Sequence, residues 1–243
     1  VYASKFTTVE IDATYYAIPA RRTVENWVRK TPEGFLICAK FPKSIVHGGD
    51  GPTPDPDVVL NPDITDDRRD RFLDVIAELG DRLGPLVIQF PYFAKRVFST
   101  KDIFMERLDR FLADLPQDFR YAVEIRNRRW LSEDYADMLR RHDVAMILVD
   151  HAWMPHGNEV LDMFDPITTD FTYIRLLGDR KRIEEITKTW DREVIDQKES
   201  MQRWTDVVAR FAERDIESLI YVNNHYAGHA PTTADRLTDM LEK

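Results

Sequence analysis

Seven stretches of this chain share one design: an apolar run that closes on polar or charged residues. They are Val9–Asp12, Leu36–Lys40, Leu86–Phe90, Tyr121–Arg126, Ala145–Asp150, Tyr173–Gly178 and Leu219–Asn224. Near-continuous apolar runs are what parallel strands need when both faces of a sheet are covered. Between them lie segments whose apolar residues recur at helical spacing. Helices are expected over Arg21–Lys30, Arg69–Gly80, Ile103–Leu115, Glu133–Arg141 behind a capping Ser132, Glu199–Arg214 and Ala234–Leu241. The alternation predicts an α/β fold of the TIM-type (β/α)8 barrel class in one domain, 1–243. Seven strands are one short of eight, so the first strand is expected to lie outside this sequence. A doubly wound open sheet is the alternative. Its glycine-rich turn after the first strand is missing, and Ala13–Pro19 (ATYYAIP) stands in that place.

In a (β/α) barrel the C-terminal strand ends share one rim, and the active site sits there. The polar residues closing the seven runs are therefore the candidate site. Glu10 and Glu124 are followed two residues later by Asp12 and Arg126, which alternation places on the same side of each strand. Carboxylates in apolar strands are expensive unless paired, and the same semi-buried position suits proton transfer. Glu124 is the preferred acid/base group, with Glu10 beside it as a further catalytic candidate. Ion pairing that knits neighbouring strands is the alternative for both. Lys40, Arg126 and Arg175 bring positive charge from three strands, suited to an anionic ligand or to those carboxylates. Gln89, Asp150, Asn223 and Asn224 can orient a hydroxylated ligand, and Tyr15 and Trp130 can stack on one. Because neighbours on a strand point apart, only one of the two asparagines should face the rim. The other should cap a turn.

Two irregular stretches, Pro42–Asp66 and His151–Asp170, interrupt the alternation, and Arg180–Gln197 is polar without a clear period. The first carries Gly48, Gly49, Gly51 and His47. It is expected to be a lid that brings His47 over the pocket as a second proton-transfer group, or else a fixed flap. Net charge is −9 from 34 basic and 43 acidic residues, which argues against non-specific binding of nucleic acid or anionic membranes. No apolar run approaches the roughly 20 residues of a membrane span. Cys38 is the sole cysteine, so no intrachain disulfide forms. The expected partner is a small molecule and the expected compartment cytoplasmic, while the oligomeric state is undetermined. No cofactor is expected. Five histidines follow strand ends, yet no HExxH or CxxC spacing marks a metal site, so a divalent ion is a minor alternative.

Five segments carry a family resemblance: VEIDATYYAIP, TPEGFLICAKFPKSIVHG, LGPLVIQFP, YAVEIRNRRW and LIYVNNHYAGHA. Together they resemble the YecE-like family, domain of unknown function 72, over nearly the whole chain. The resemblance implies an eight-stranded (β/α) barrel. It places the family pattern on Glu10, Thr14, Tyr15, Pro19, Lys40, His47, Gln89, Pro91, Glu124, Arg126, Trp130, Asp150, Arg175, Gly178, Asn223 and Asn224. Val46, Leu177 and Val222 depart from it. Leu177 replaces a histidine, so a mechanism routed through that histidine does not carry over. The resemblance implies no particular activity. The residues point to an enzyme using acid/base chemistry on a small polar, anionic or hydroxylated molecule. A metabolite-binding module and a metal-dependent nucleic-acid enzyme are the alternatives.

Overall fold

The computed structural model describes residues 2–49 and 51–242; Val1, Asp50 and Lys243 lie outside the described residues. Strands and helices follow the order of the (β/α)-barrel class, with seven strands where the full barrel has eight. Every registered strand pair is parallel. The chain forms two compact units, Val1–Arg126 and Asn127–Lys243.

The first unit holds β1 (Thr8–Ile11), α1 (Ala13–Tyr16), α2 (Arg21–Lys30), β2 (Leu36–Lys40), α3 (Lys43–Val46), α4 (Pro62–Ile76), β3 (Leu83–Gln89), α5 (Lys101–Ala113) and β4 (Tyr121–Glu124). Glu10 pairs with Cys38, Lys40 with Val87 and Gln89 with Glu124. The registers bring the polar closing residues of the four strands to one edge. Ile37, Cys38, Ala39, Val87, Ile88, Ala122 and Val123 are all buried, which explains the unbroken apolar runs. Phe72 of α4 packs on Phe41, and Phe104 of α5 packs edge-on to Phe90, each at 4.9 Å between ring centres.

Two boundaries differ from expectation. β3 begins at Leu83, before Gly84 and Pro85, residues that ordinarily interrupt a strand. Gly84 is required there: a Cβ would lie 2.6 Å from Cys38 Sγ on β2. Helix α4 begins at Pro62 and not at Arg69. Asn61 caps it by accepting the Asp63 N–H, and proline occupies the first turn, where its missing N–H is harmless. The helix stops at Ile76, and a 3-10 turn over Ala77–Arg82 completes the connection. The irregular part of the 42–66 segment thus shrinks to 47–61, and it is tied down. Asp55 donates its N–H to the His47 carbonyl, Leu60 to that of Ile45, and Arg107 of α5 reaches the carbonyls of Pro56 and Val59. Gly48 has φ +84°, and a Cβ there would meet the Asp55 carbonyl oxygen at 2.6 Å.

The second unit holds α6 (Glu133–Arg141), β5 (Ala145–His151), α7 (Gly157–Met163), β6 (Phe171–Gly178), α8 (Arg180–Ile186), α9 (Lys198–Ala212), β7 (Glu217–Val222), α10 (Asn224–Ala227) and α11 (Ala230–Leu241). Ser132 caps α6 through the Tyr135 N–H. β6 lies between β5 and β7, with Arg175 in register with Val149 and Tyr221. The His151–Asp170 stretch contains α7, and the polar 180–197 stretch opens as α8 behind the Asp179 cap. The last strand stops at Val222, because Asn223 turns its side chain to cap α10. The final helix starts at Ala230, four residues earlier than its apolar period suggests, with Pro231 in its first turn. Among the described residues no helix is long and apolar enough to cross a membrane.

Candidate functional site

The C-terminal edge of β1–β4 in the first unit gathers the charged residues. Lys40 ends β2 with 4% of its surface exposed. Its ammonium lies 3.1 Å from Glu10 Oε1 on β1 and also contacts the Asp12 carboxylate. Thr14 of α1 fixes the same strand end: its hydroxyl accepts the Lys40 N–H at 2.9 Å and donates to the Ile11 carbonyl at 3.2 Å. At β4, Glu124 is fully buried and accepts a hydrogen bond from Arg126 Nε at 2.7 Å. Arg126 lies two residues beyond the end of the strand and reaches back to Glu124. Gln89, in register with Glu124, is half-buried. Tyr15 is half-buried next to this pair. Burial pushes its hydroxyl pKa up, Arg126 opposes the rise, and Tyr16 and Glu124 reinforce it. Tyr16 crosses Tyr15 edge-on at 5.4 Å and is 77% exposed.

His47 follows α3 and closes its last turn by donating its N–H to the Lys43 carbonyl. The ring is buried and its Nδ1 has no hydrogen-bond partner. Burial first, and the Lys43 ammonium second, hold its pKa below the ordinary value, which favours neutral imidazole.

In the second unit, Asp150 near the end of β5 sits in a network that the sequence did not announce. Its Oδ2 accepts from Ser200 Oγ at 2.6 Å and from Trp204 Nε1 at 2.8 Å, both on α9. His156 lies tilted against Trp204 at 4.4 Å between ring centres, with Nε2 3.4 Å from Ser200 Oγ and 3.9 Å from Asp150 Oδ2. Burial lowers the His156 pKa, with Asp150 opposing and Arg203 assisting. A Cβ at Gly157 would lie 2.6 Å from the Trp204 ring, so the glycine makes room for the indole. Ser200, Trp204 and His156 lie tens of residues or a few residues from Asp150 with no fixed spacing, so no local motif could mark the group. Arg175 is buried in β6, and Trp130 is half-buried in a short turn after Asn127. Both asparagines of the last motif serve the backbone. Asn223 Oδ1 accepts the His225 N–H at 2.9 Å, and Asn224 Oδ1 accepts the Ala230 N–H at 2.8 Å. Among the described residues, no three His, Cys, Asp or Glu side chains are gathered as a metal-ligand set.

The sequence-expected residues thus form two groups, each described within its own unit. Glu10, Lys40, Gln89, Glu124, Arg126 and Tyr15 belong with Asp12 and Thr14 to the first, and His47 lies in the same unit at the end of α3. Asp150, Arg175, Asn223, Asn224 and Trp130 belong to the second.

The chain belongs to the family described as "Protein of unknown function DUF72", whose model matches residues 1–243. It is similar to the UPF0759 protein YecE of Escherichia coli K12, with 28% identity over 170 residues, covering 66% of this chain and 56% of that protein. It is also similar to the UPF0759 protein YunF of Bacillus subtilis, with 29% identity over 136 residues, covering 55% of this chain and 44% of that protein. These matches span about half the length of the curated relatives. Among solved structures, a DUF72 family protein from Enterococcus faecalis V583 matches with TM-score 0.70 and 19% identity, covering 100% of this chain and 92% of that one. A DUF72 family protein from Thermotoga maritima MSB8 matches with TM-score 0.65 and 26% identity, covering 98% and 85%.

Proposed function

We propose that this DUF72 chain is an enzyme that transfers a proton to or from a small polar substrate at the C-terminal strand edge of its first unit. Glu124 is the acid/base group in this reading. The observation that carries it is the placement of that carboxylate: fully buried at a strand's end and bonded to the Arg126 guanidinium at 2.7 Å. An ionised group in such a place is a poor stabiliser and a good catalyst, because removing a carboxylate from water costs several kcal/mol that one ion pair only partly returns. Arg126 orients Glu124 and balances its charge. Lys40 does the same for Glu10 and Asp12. The substrate is hydroxylated or anionic, held by Gln89 and the tyrosines of α1.

A second reading has its own support. Lys40 is already shared between two carboxylates and Arg126 is bonded to a third. Cations so engaged suit a metabolite-binding module as well as an enzyme. A thermal-shift screen of metabolites on the wild-type chain finds the ligand, and NMR of the mixture follows its fate. Conversion by the wild type, lost in Glu124→Gln while binding persists, supports the enzyme. A hit that stabilises the protein yet stays chemically unchanged through long incubation overturns it in favour of the binding module.

A further inference from the structure

The tyrosines of α1 narrow what the strand edge of the first unit can hold, given the reading of that edge as the substrate site. One residue, Asp12, separates α1 from β1, so the side chains of α1 stand where the strand ends. Thr14 pins the helix there. It is fully buried, and its hydroxyl bonds the Ile11 carbonyl of β1 and the Lys40 N–H of β2. A single turn has no stability of its own, so these bonds to two strands hold the tyrosines in place.

The two rings differ in setting. Tyr15 is half-buried, and its hydroxyl lies near enough to Arg126 and Glu124 for both charges to act on it. Tyr16 stands edge-on to Tyr15 at 5.4 Å and is 77% exposed. Tyr15 therefore bridges the polar strand ends and an open aromatic ring. The face of such a ring carries negative charge density and attracts polarised C–H groups.

The cations of this edge are committed. Lys40 contacts Glu10 and Asp12, and Arg126 is bonded to Glu124. An anionic ligand would compete with these carboxylates for the same charges and would sit beside them, which costs free energy. An uncharged ligand meets no such repulsion. Hydroxyl groups also suit what is accessible. The Asp12 side chain is 64% exposed and accepts hydrogen bonds. The half-buried Gln89 amide donates and accepts. Arg126 spends Nε on Glu124, and its two terminal nitrogens can donate from a side chain that is 29% exposed.

We propose that this edge takes an uncharged pyranose ring, its C–H face laid on Tyr16 and its hydroxyls shared among Asp12, Gln89 and Arg126. A pyranose has hydroxyls around its rim and C–H groups on its faces, the same division of polar and apolar surface as the site. A linear polyol has no face to offer Tyr16. A nucleoside base has a face but few hydroxyls.

The test is saturation-transfer NMR and titration of the whole chain with the methyl pyranosides of glucose, galactose, mannose and xylose. At least one should bind with a millimolar Kd, with saturation strongest on the C–H groups of one ring face. Tyr16→Ala should weaken that binding about 5-fold, the scale of one aromatic contact. Tyr16→Phe should preserve it. Both changes fall on an exposed side chain, so the fold is not at stake. Tyr2→Ala, at an exposed tyrosine before β1, should leave binding unchanged. Glucuronate and glucose 6-phosphate should bind more weakly than the neutral sugars. Failure of all four pyranosides to bind overturns the proposal. So does binding that Tyr16→Ala leaves intact, or tighter binding of the anionic sugars or of uridine. The enzyme reading fails separately: a pyranoside held through Tyr16 but never converted removes the chemistry and keeps the ligand class. Glu124-dependent conversion of a molecule without a sugar ring does the reverse.

Discussion

The two units solve the same problem, a carboxylate at the end of a buried strand, in different ways. In the first, the partners are cations at or just beyond strand ends: Lys40 for Glu10 and Asp12, Arg126 for Glu124. In the second, Asp150 is satisfied by neutral donors from a helix, Ser200 Oγ and Trp204 Nε1. The neutral arrangement ties α9 to β5 and buries a tryptophan in doing so, which makes Asp150 a fastener. Satisfying a buried group with donors that bring apolar area along stabilises a fold; satisfying it with a charged guanidinium mostly limits a loss. Under the proposed function, Asp150 is architecture and Glu124 is the residue kept for chemistry.

That contrast is easiest to break at Trp204. Trp204→Ala removes a ring that is 1% exposed, together with the donor that Asp150 relies on. Urea unfolding should show a loss of about 3–5 kcal/mol, the usual range for a buried tryptophan. A loss below about 1 kcal/mol, the level of surface changes, would remove the fastener reading. In the first unit, Lys40→Met leaves Glu10 without its cation at a nearly buried position and should cost about 3 kcal/mol by the same measurement. Lys40→Met with Glu10→Leu and Asp12→Asn should recover much of it, since no unpaired buried charge is left.

The pH dependence sharpens the comparison further. His47 in the first unit and His156 and His225 in the second all have pKa values held below the ordinary one, with burial the leading cause in each. The unfolded chain then binds more protons than the folded one. Stability should be level above about pH 6.5, the unfolded histidine value, and should fall as pH drops through and below it. His156→Gln and His47→Gln should each flatten that fall, which denaturant titrations at several pH values will show. The smallest effect belongs to the surface. Arg21 pairs with Asp74 and Glu78 in the open, and Arg21→Ala should change stability by less than about 1 kcal/mol.

How much of this was legible in the sequence follows from the same physics. The strands were legible because a covered parallel sheet demands apolar residues on both faces, and β2 falls inside the apolar run read for it. β3 was read short because Gly84 and Pro85 look like an ending, and nothing local reveals that Cys38 of β2 needs the missing Cβ. Helix α4 was read late: the Asn61–Pro62 start signal is plain, but Asp63, Asp66 and Asp67 hide the apolar period behind it. The Glu124–Arg126 pair was legible from alternation alone. The partners of Asp150 were not, since Ser200 and Trp204 are 50 and 54 residues away on a helix whose approach depends on the tertiary fold.

The most direct test of the account is the stability of Glu124→Gln, which needs no knowledge of the substrate. The substitution keeps the shape, removes a fully buried charge and leaves Arg126, which is 29% exposed, free to turn to water. If Glu124 is kept for chemistry, unfolding in urea should show the variant within about 1 kcal/mol of the wild type or more stable than it, as buried catalytic charges relieved of their cost typically behave. A loss of more than about 3 kcal/mol, the signature of a broken structural ion pair, would contradict the account and return Glu124 to the framework of the strands.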